Sequence, residues 1–156
     1  MPVIRPATPA DALLIGQQRQ KMFIESAQTT AEATATLPDR FAAWVRPKLE
    51  NGTYIGWVAE YEGEPVAGAG LWLMDFPPHW MDPEPVRAYL LNFYVAASFR
   101  GHGLAGRFLR LAVDEAHRRN IRVVSLHASK FGRPVYEKHG FKPTNEMMLI
   151  EENPSS

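Results

Sequence analysis

The sequence contains no cysteine among its 156 residues. This absence excludes disulfide bonds, zinc–thiolate sites and a cysteine nucleophile within the chain. An acyl transfer would therefore use another nucleophile or proceed without a covalent enzyme intermediate. The five histidines are scattered, and none forms the His-x3-His spacing of a helical metal site, so we expect no metal.

The chain also lacks an excess of either charge and a long apolar run. Seventeen basic and seventeen acidic residues cancel, so we expect no binding to nucleic acid. No apolar run approaches the ~20 residues that a membrane span requires. Residues 1–5 show no basic region followed by an apolar stretch, so we expect no secretory signal. These observations predict a cytoplasmic protein without a membrane partner.

The apolar pattern predicts one α/β (α+β) domain over residues 1–150, with a mixed central sheet flanked by helices, and a disordered tail over 151–156. The continuously apolar run 88–95 predicts a central strand buried on both faces. We place the first helix's stripe at Leu13, Leu14, Met22 and Phe23, and the long helix's buried face at Leu104, Phe108, Leu111, Ala112 and Ala116. We expect strands at 3–5, 54–61, 65–74, 88–95, 122–126, 141–142 and 147–150, and helices after Thr8 or Asp11 and at 39–49, 103–119 and 133–139.

The turn between residues 95 and 106 carries the strongest functional signal. Gly101 and Gly103 precede a long predicted helix, whose first N–H groups have no intrahelical partners. Both glycines allow a close approach to the main chain, and Arg100 adds donors suited to phosphate. The pattern predicts a phosphate-binding turn or, alternatively, a tight strand–helix connection in which the glycines serve geometry alone.

With Gly106, the same glycines also spell Gly-x-Gly-x-x-Gly, the dinucleotide-binding pattern. That pattern normally opens the first unit of a repeated βαβ fold and has an acidic residue ~20 residues further on. Here it follows a predicted antiparallel hairpin, and residues 120–124 contain no acid. We therefore discount a dinucleotide site.

Two motifs, in this order, resemble the GCN5-related N-acetyltransferase (GNAT) family. Residues 100–105, Arg-Gly-His-Gly-Leu-Ala, match the family signature Gln/Arg-x-x-Gly-x-Gly/Ala. Residues 126–129 (Leu-His-Ala-Ser) and 135–141 (Val-Tyr-Glu-Lys-His-Gly-Phe) resemble the family's strand, loop and Tyr-Glu-Lys-x-Gly-Phe ending. The resemblance extends from Ile4 to about Ile150. It implies the GNAT fold and an N-acetyltransferase of the EC 2.3.1 type, with acetyl-CoA as co-substrate.

The resemblance also implies where the co-substrate binds. In the family the signature turn wraps the CoA pyrophosphate, mostly through backbone N–H groups. The preceding strand splays at a bulge and pairs with the pantetheine arm, and one of its N–H groups stabilises the acetyl oxygen. Ser129 stands where many members have a cofactor-binding Asn. The cofactor-binding residues implied for this chain are Phe93, Tyr94, Val95, Arg100, Gly101, His102, Gly103, Leu104, Ala105 and Ser129.

Tyr136 matches the tyrosine that many members place near the CoA sulfur, which implies a catalytic acid. A phenol with a pKa near ~10 stays protonated at neutral pH and can donate to a leaving thiolate. The alternative is a core tyrosine that only lines the cofactor site. Many members also have a Glu on the central strand, where Asn92 offers no carboxylate but could orient a water. The base stays open among solvent and Asp75, His79, Asp82 and Glu84.

The acceptor is not named by the sequence. The family's acceptor site lies near the first helices and the loop after the third strand. An aromatic lining would suit a partly apolar amine, and the alternative is that these residues are core. A small amine or amino-acid-like acceptor is the leading hypothesis, beside a protein N-terminus or lysine, and beside a non-catalytic acyl-CoA sensor. Other acyl groups, and a monomer or a homodimer, stay open. The predicted wall residues are Met22, Phe23, Trp44, Trp72, Phe76, Trp80 and Tyr89.

Overall fold

The structure is a computed structural model that describes residues 1–130 and 132–152. One sheet of five strands has the order β1-β2-β3-β4-β5, with β1 to β4 antiparallel and β5 parallel to β4. The strands are β1 (Val3–Pro6), β2 (Tyr54–Tyr61), β3 (Glu64–Asp75), β4 (Val86–Val95) and β5 (Val124–Leu126). The helices are α1 (Ala12–Glu25), α2 (Leu37–Asn51), α3 (Leu104–Arg118) and α4 (Arg133–Lys138). The predicted mixed sheet with flanking helices is confirmed.

Glycine and proline residues lie at the ends of these elements, as the sequence predicts. Gly52 ends α2 in the left-handed region, at φ 80°. Glu62 and Gly63, with φ of 51° and 80°, form the tight connection between β2 and β3. The antiparallel β2–β3 hairpin is therefore confirmed, and Pro134 lies in the first turn of α4 as expected.

The helices cover opposite faces of the sheet. Leu71 and Leu90 pack in one core cluster with α3, through Leu109 and Ala112. Their neighbours Trp72 and Leu91 instead contact the cluster formed by α1, α2 and β2. Successive side chains of a strand point to opposite faces, so α1 and α2 lie on one side and α3 on the other.

The sheet splits between β4 and β5. The two strands pair only where Ala88–Leu90 faces Val124–Leu126, whereas β4 continues to Val95. On its other edge β4 bulges opposite Gly68–Gly70, and Asn92 lies in the left-handed region at φ 60°. The splayed strand and the bulge that the family resemblance implies are both present.

The predicted strand segments 141–142 and 147–150 are wrong. Residues 141–152 form no helix or strand, and Met147, Leu149 and Ile150 are exposed. A strand needs a paired neighbour, and β5 offers a ladder of only three residues. An apolar run alone therefore did not suffice. Residues 151–152 of the predicted tail have no regular structure, and 153–156 lie outside the described residues.

Three burial predictions also need correction. Leu13 and Leu111 are exposed, and the buried positions are Ile15 on α1 and Leu109 on α3. The other four residues predicted for the buried face of α3 are buried. On α1 the core-facing positions include the small residues Ala12 and Gly16, which the apolar pattern undervalues. β4 is not fully buried on both faces: its side chains alternate between buried and half-buried up to Asn92. The half-buried positions line cavities, as described below.

Candidate active site

The turn before α3 presents a row of free backbone donors. After the short 3-10 turn Ala97–Phe99, Gly101 and Gly103 adopt φ of 81° and 83°. Arg107 N–H donates to the Gly103 carbonyl at 3.1 Å, which begins the helical pattern. Within the described part of the chain, the N–H groups of residues 101–106 have no acceptor. Such donors, together with the helix dipole, are suited to an anion.

The Arg100 side chain lies beside this turn but already has partners. Its Nε donates to the Val95 carbonyl at 2.8 Å, and its Nη2 donates to Glu25 Oε1 at 2.5 Å. The Tyr94 hydroxyl donates to Glu25 Oε2 at 2.9 Å. Burial and the Glu25 carboxylate raise the pKa of Tyr94 to about 12, so the hydroxyl stays a donor. Arg100 therefore fastens the turn to β4 and α1, and backbone groups are the main donors left for an anion.

A narrow cavity of about 110 Å³ lies where β4 leaves β5. Its walls come from the end of β4, the first turn of α3, and α4 with the loop before it. The cavity brings together predicted cofactor-binding and catalytic residues that are distant in the sequence. The predicted residues that line it are Phe93, Tyr94, Val95, Ala105, Ser129 and Tyr136. Gly101, His102 and Gly103 lie outside it on the exposed turn, and the Leu104 side chain is buried in the core.

Tyr136 stands in a mostly aromatic setting. Its ring packs edge-on against Phe93 and Phe141, with ring centroids 6.1 and 5.9 Å away. Burial raises the pKa of the phenol to about 12, because the surroundings disfavour the anion. The phenol is therefore protonated at neutral pH, as a proton donor must be.

Ser129 shapes the start of α4. Its hydroxyl oxygen accepts from the Gly132 N–H at 3.0 Å, and its carbonyl accepts from the Arg133 N–H at 3.0 Å. A Cβ on Gly132 would lie 3.1 Å from the Tyr136 ring and 3.2 Å from the Ser129 hydroxyl. The loop is thus tightly packed around Tyr136, which restricts the ring's position.

A second cavity, of about 500 Å³, opens on the other side of Tyr136. It lies between α1, the middle of β4 and the end of β5. Phe93, Ser129 and Tyr136 line both cavities, so the two spaces meet at these residues. Volumes of a few hundred Å³ are typical of small-molecule sites.

Some of the predicted wall residues line this cavity and others do not. Met22, Phe23 and Tyr89 do. Trp44 and Trp72 pack edge to face in the core, with ring centroids 5.1 Å apart. Phe76 and Trp80 lie in the loop between β3 and β4. The Arg87 guanidinium covers the Phe76 ring, 3.6 Å from its centroid, and Trp80 is 88% exposed.

The four candidate bases in the proline-rich loop lie away from both cavities. His79 and Asp82 pair through their backbones, with N–O distances of 2.9 and 3.0 Å. Asp82 Oδ1 accepts from the Glu84 N–H at 3.1 Å. Asp75 ends β3, and neither cavity is lined by any of the four. Their contacts serve the loop's own conformation.

Sequence reasoning missed a histidine in the large cavity. His127 follows β5 directly; its Nδ1 faces the Tyr89 hydroxyl, and its Nε2 lies 2.7 Å from Glu146 Oε2. Tyr89 and His127 both line the cavity, so a carboxylate–imidazole–phenol chain reaches it. His127 belongs to the Leu-His-Ala-Ser motif, and this position was the sequence signal that could have identified it as a site residue.

The cavity also contains a polar network that the sequence did not reveal. Arg19 Nη1 donates to Asn92 Oδ1 at 2.8 Å, and Asn92 Nδ2 donates to the Tyr54 hydroxyl at 2.9 Å. The bulge turns Asn92 toward α1, whereas a regular strand would aim it at α3. A Cβ on Gly70 would lie 2.0 Å from the Tyr54 hydroxyl, so glycine makes room for this network. Burial raises the pKa of Tyr54 and lowers the pKa of Arg19.

These features fit an extended, anionic ligand such as a CoA ester. Free N–H groups at the turn suit phosphates, and residues 91–95 of β4 present a main-chain edge without a β5 partner. The narrow cavity then leads from that edge to Tyr136. Among the described residues, no group of three or more His, Cys, Asp and Glu is placed to hold a metal ion. Nor is any described helix both long and apolar enough to cross a membrane.

Comparison with known proteins identifies the class, an acetyltransferase fold. A crystal structure described as a GCN5-related N-acetyltransferase from Ralstonia eutropha JMP134 has 36% identity and a TM-score of 0.90, covering 97% of this chain and 99% of that one. Another, described as a predicted acetyltransferase with acetyl-CoA from Clostridium acetobutylicum, has 31% identity and a TM-score of 0.88, covering 97% and 96%. No curated protein matches the chain in sequence.

The family follows from a sequence model of the acetyltransferase (GNAT) family, which matches residues 20–141. The chain therefore belongs to the GNAT family and is an N-acetyltransferase of the EC 2.3.1 type. The family uses acetyl-CoA as its co-substrate. A structure of glucosamine-6-phosphate N-acetyltransferase from Arabidopsis thaliana shares the fold alone, with 17% identity and a TM-score of 0.68 over 98% of this chain and 99% of that one.

Proposed function

We propose that this protein transfers the acetyl group of acetyl-CoA directly to a small, amino-acid-like amine. One observation carries the proposal. The narrow cavity beside the signature turn and the large cavity beside α1 meet at Phe93, Ser129 and Tyr136. A thioester held in the first space would face an amine held in the second, next to a protonated phenol.

The cofactor side of the proposal uses backbone donors. The N–H groups of residues 101–106 would bind the pyrophosphate, and β4 from Phe93 to Val95 would pair with the pantetheine arm. One N–H of this segment would stabilise the acetyl oxygen as negative charge develops on it. The Ser129 hydroxyl oxygen accepts from Gly132, and its proton, which has no acceptor among the described residues, would donate to the same arm.

The proton transfers are assigned to three side chains. As the amine nitrogen bonds to the carbonyl carbon and the carbon–sulfur bond breaks, Tyr136 would donate its proton to the sulfur. The amine would give its proton to the Tyr89 hydroxyl oxygen as that hydroxyl passes its own proton to Nδ1 of His127, and Glu146 would stabilise the resulting imidazolium through Nε2. The position of His127 on the large cavity and its 2.7 Å contact with Glu146 support this role.

The proposal favours a small acceptor over a protein N-terminus or lysine. The cavity's volume of about 500 Å³ matches small-molecule sites. None of the described residues that line it is acidic, although an acidic wall would suit a basic peptide. A peptide panel in the assay below tests the protein-acetylating alternative directly.

Calorimetry with acetyl-CoA and a thiol-release assay over an amine panel test the proposal. Because the chain has no cysteine, every free thiol in the assay comes from the released CoA. We expect binding of acetyl-CoA and thiol release that depends on the added amine. Binding without release by any amine or peptide would favour the non-catalytic sensor, and absence of binding would contradict both readings.

A further inference from the structure

We propose that the acceptor amine carries a carboxylate and that Arg19 binds this group in the large cavity. This inference rests on the proposed function and names the chemical class of its substrate. The expected acceptors are amino acids or close analogues with an apolar body.

No carboxylate of the described residues neutralises the charge of Arg19. Its guanidinium carbon lies over the rings of Phe23 and Phe41, 4.7 and 4.9 Å from their centroids. In residues 1–130 and 132–152 it forms no ion pair, whereas Arg5 pairs with two carboxylates and Arg100 with one. Half-buried cations without an anionic partner are costly, so a ligand that supplies the anion would bind favourably here.

The network around Arg19 fixes its position without occupying all of its donors. Only Nη1 has a partner in the part of the chain that the structure describes, namely the neutral amide of Asn92 at 2.8 Å. Asn92 is 3% exposed and is held by the Tyr54 hydroxyl, so this anchor is rigid. Nε and Nη2 remain as two adjacent donors, the arrangement that a carboxylate accepts in a bidentate fashion.

The other lining residues of the large cavity indicate the chemistry of the rest of the acceptor. Met22, Leu91 and Phe93 supply apolar walls. The titratable groups that face the space are Tyr89, His127 and Tyr136, and Glu146 lies behind His127. Arg19 is thus the permanent cation among them, and a compact organic acid with an apolar body matches the lining. Tyr136 lines the same cavity, so the acceptor's amine and carboxylate would occupy one space.

The experiment compares amino acids with their decarboxylated amines. Phenylalanine is paired with 2-phenylethylamine, leucine with 3-methylbutylamine, and the other apolar amino acids are treated in the same way. Equilibrium binding is measured by calorimetry, and kcat/KM is measured by thiol release. Losing two charge-assisted hydrogen bonds would weaken binding by about 10²- to 10⁴-fold. We expect at least one amino acid to bind more tightly than its amine by this factor.

Variants assign that difference to Arg19. Arg19→Met should abolish the preference for the carboxylated partner, and Arg19→Lys should restore part of it. Lys21→Met is the matched control, because Lys21 is an exposed cation on the same helix. The control should keep the full preference. If Arg19→Met does not fold, the paired ligands are still compared on the wild-type protein and on Arg19→Lys, and a smaller carboxylate preference in Arg19→Lys would support the assignment.

The outcomes separate this inference from the proposed function. If decarboxylated amines bind and react as well as the amino acids, or no amino acid binds, the carboxylate inference is wrong while acetyl-CoA transfer stands. If acetyl-CoA itself does not bind, the proposed function fails. A preference for carboxylates that survives Arg19→Met would also overturn the assignment.

Discussion

The two cavities that meet at Tyr136 are built in different ways. The side proposed for the cofactor depends on main-chain geometry: two glycines with positive φ, N–H groups without an acceptor among the described residues, and the edge of β4 that β5 does not pair. The side proposed for the acceptor depends on side chains from separate elements, with Arg19 on α1, Asn92 on β4 and His127 after β5.

Such a division would allow one fold to keep its co-substrate while its acceptor changes. Backbone donors survive most side-chain substitutions, provided that the glycines keep their conformation. Side chains that line the acceptor cavity can change without moving the turn or the β4 edge. We therefore expect substitutions on the two sides to separate cleanly, with effects on acetyl-CoA affinity on one and on acceptor kinetics on the other.

The largest effect is expected where the two sides meet. Tyr136→Phe removes the proposed proton donor and should lower kcat by about 10²- to 10⁴-fold, the usual contribution of general acid–base catalysis. The acetyl-CoA affinity should stay the same, because the ring still packs against Phe93. Burial raises the pKa of Tyr136 to about 12, so wild-type kcat should not fall through its ionisation at neutral or mildly alkaline pH.

Tyr61→Phe is the matched control for that variant, since Tyr61 lies at the end of β2 outside both cavities. Its steady-state kinetics should equal those of the wild type. An unchanged kcat in Tyr136→Phe, measured with an accepted amine, would remove the acid role and leave Tyr136 as a wall residue.

His127→Gln tests the proposed base on the acceptor side. We expect kcat/KM to fall by about 10²-fold, because the amine loses its proton acceptor. Glu146→Gln should lower kcat/KM by a smaller factor, because the imidazole that accepts the proton remains. The exposed His117→Gln on α3 serves as control. Steady-state kinetics over a range of pH measure these effects, and wild-type rates in His127→Gln would indicate that solvent accepts the proton.

Gly103→Val tests the backbone side. A β-branched residue at φ 83° is strained by about 1–3 kcal/mol, and the turn would relax away from its anion-binding form. We expect acetyl-CoA to bind about 10- to 100-fold more weakly in calorimetry. Gly52→Val carries the same strain at φ 80°, at the end of α2 and outside both cavities. It should lower the melting temperature without changing the affinity, and equal losses of affinity in both variants would refute a specific turn.

The same difference explains what the sequence could predict. The turn and its glycines lie within a few consecutive residues, so a local motif describes them completely. Arg19 and Asn92 are 73 positions apart, and only the folded sheet brings them together. The bulge that aims Asn92 at α1 leaves no local pattern, because Asn is one of several residues that tolerate positive φ.

The wrong strand predictions have a related cause. Residues 147–150 are apolar enough for a strand, but strand formation depends on a paired neighbour that the local pattern does not contain. The Tyr89–His127–Glu146 chain was missed for the same reason. Glu146 lies 19 positions after His127, and the segment between them includes α4, so the contact is visible only in the folded chain, although His127 itself lies in a recognised motif.

The smallest expected effect isolates the anchor of Arg19. Asn92→Gly keeps the backbone at φ 60° without strain while removing the hydrogen bonds to Arg19 and Tyr54. A guanidinium without this anchor should bind the acceptor less well, raising its KM by about 5- to 10-fold, as expected for one lost hydrogen bond. Asn120→Gly is the matched control, because Asn120 is an exposed residue just after α3 with φ 59°. It should change neither kcat nor the KM for the acceptor. Acetyl-CoA affinity should be equal in all three proteins; if Asn92→Gly instead weakened acetyl-CoA and spared the acceptor, the division between a backbone-built and a side-chain-built side would not hold.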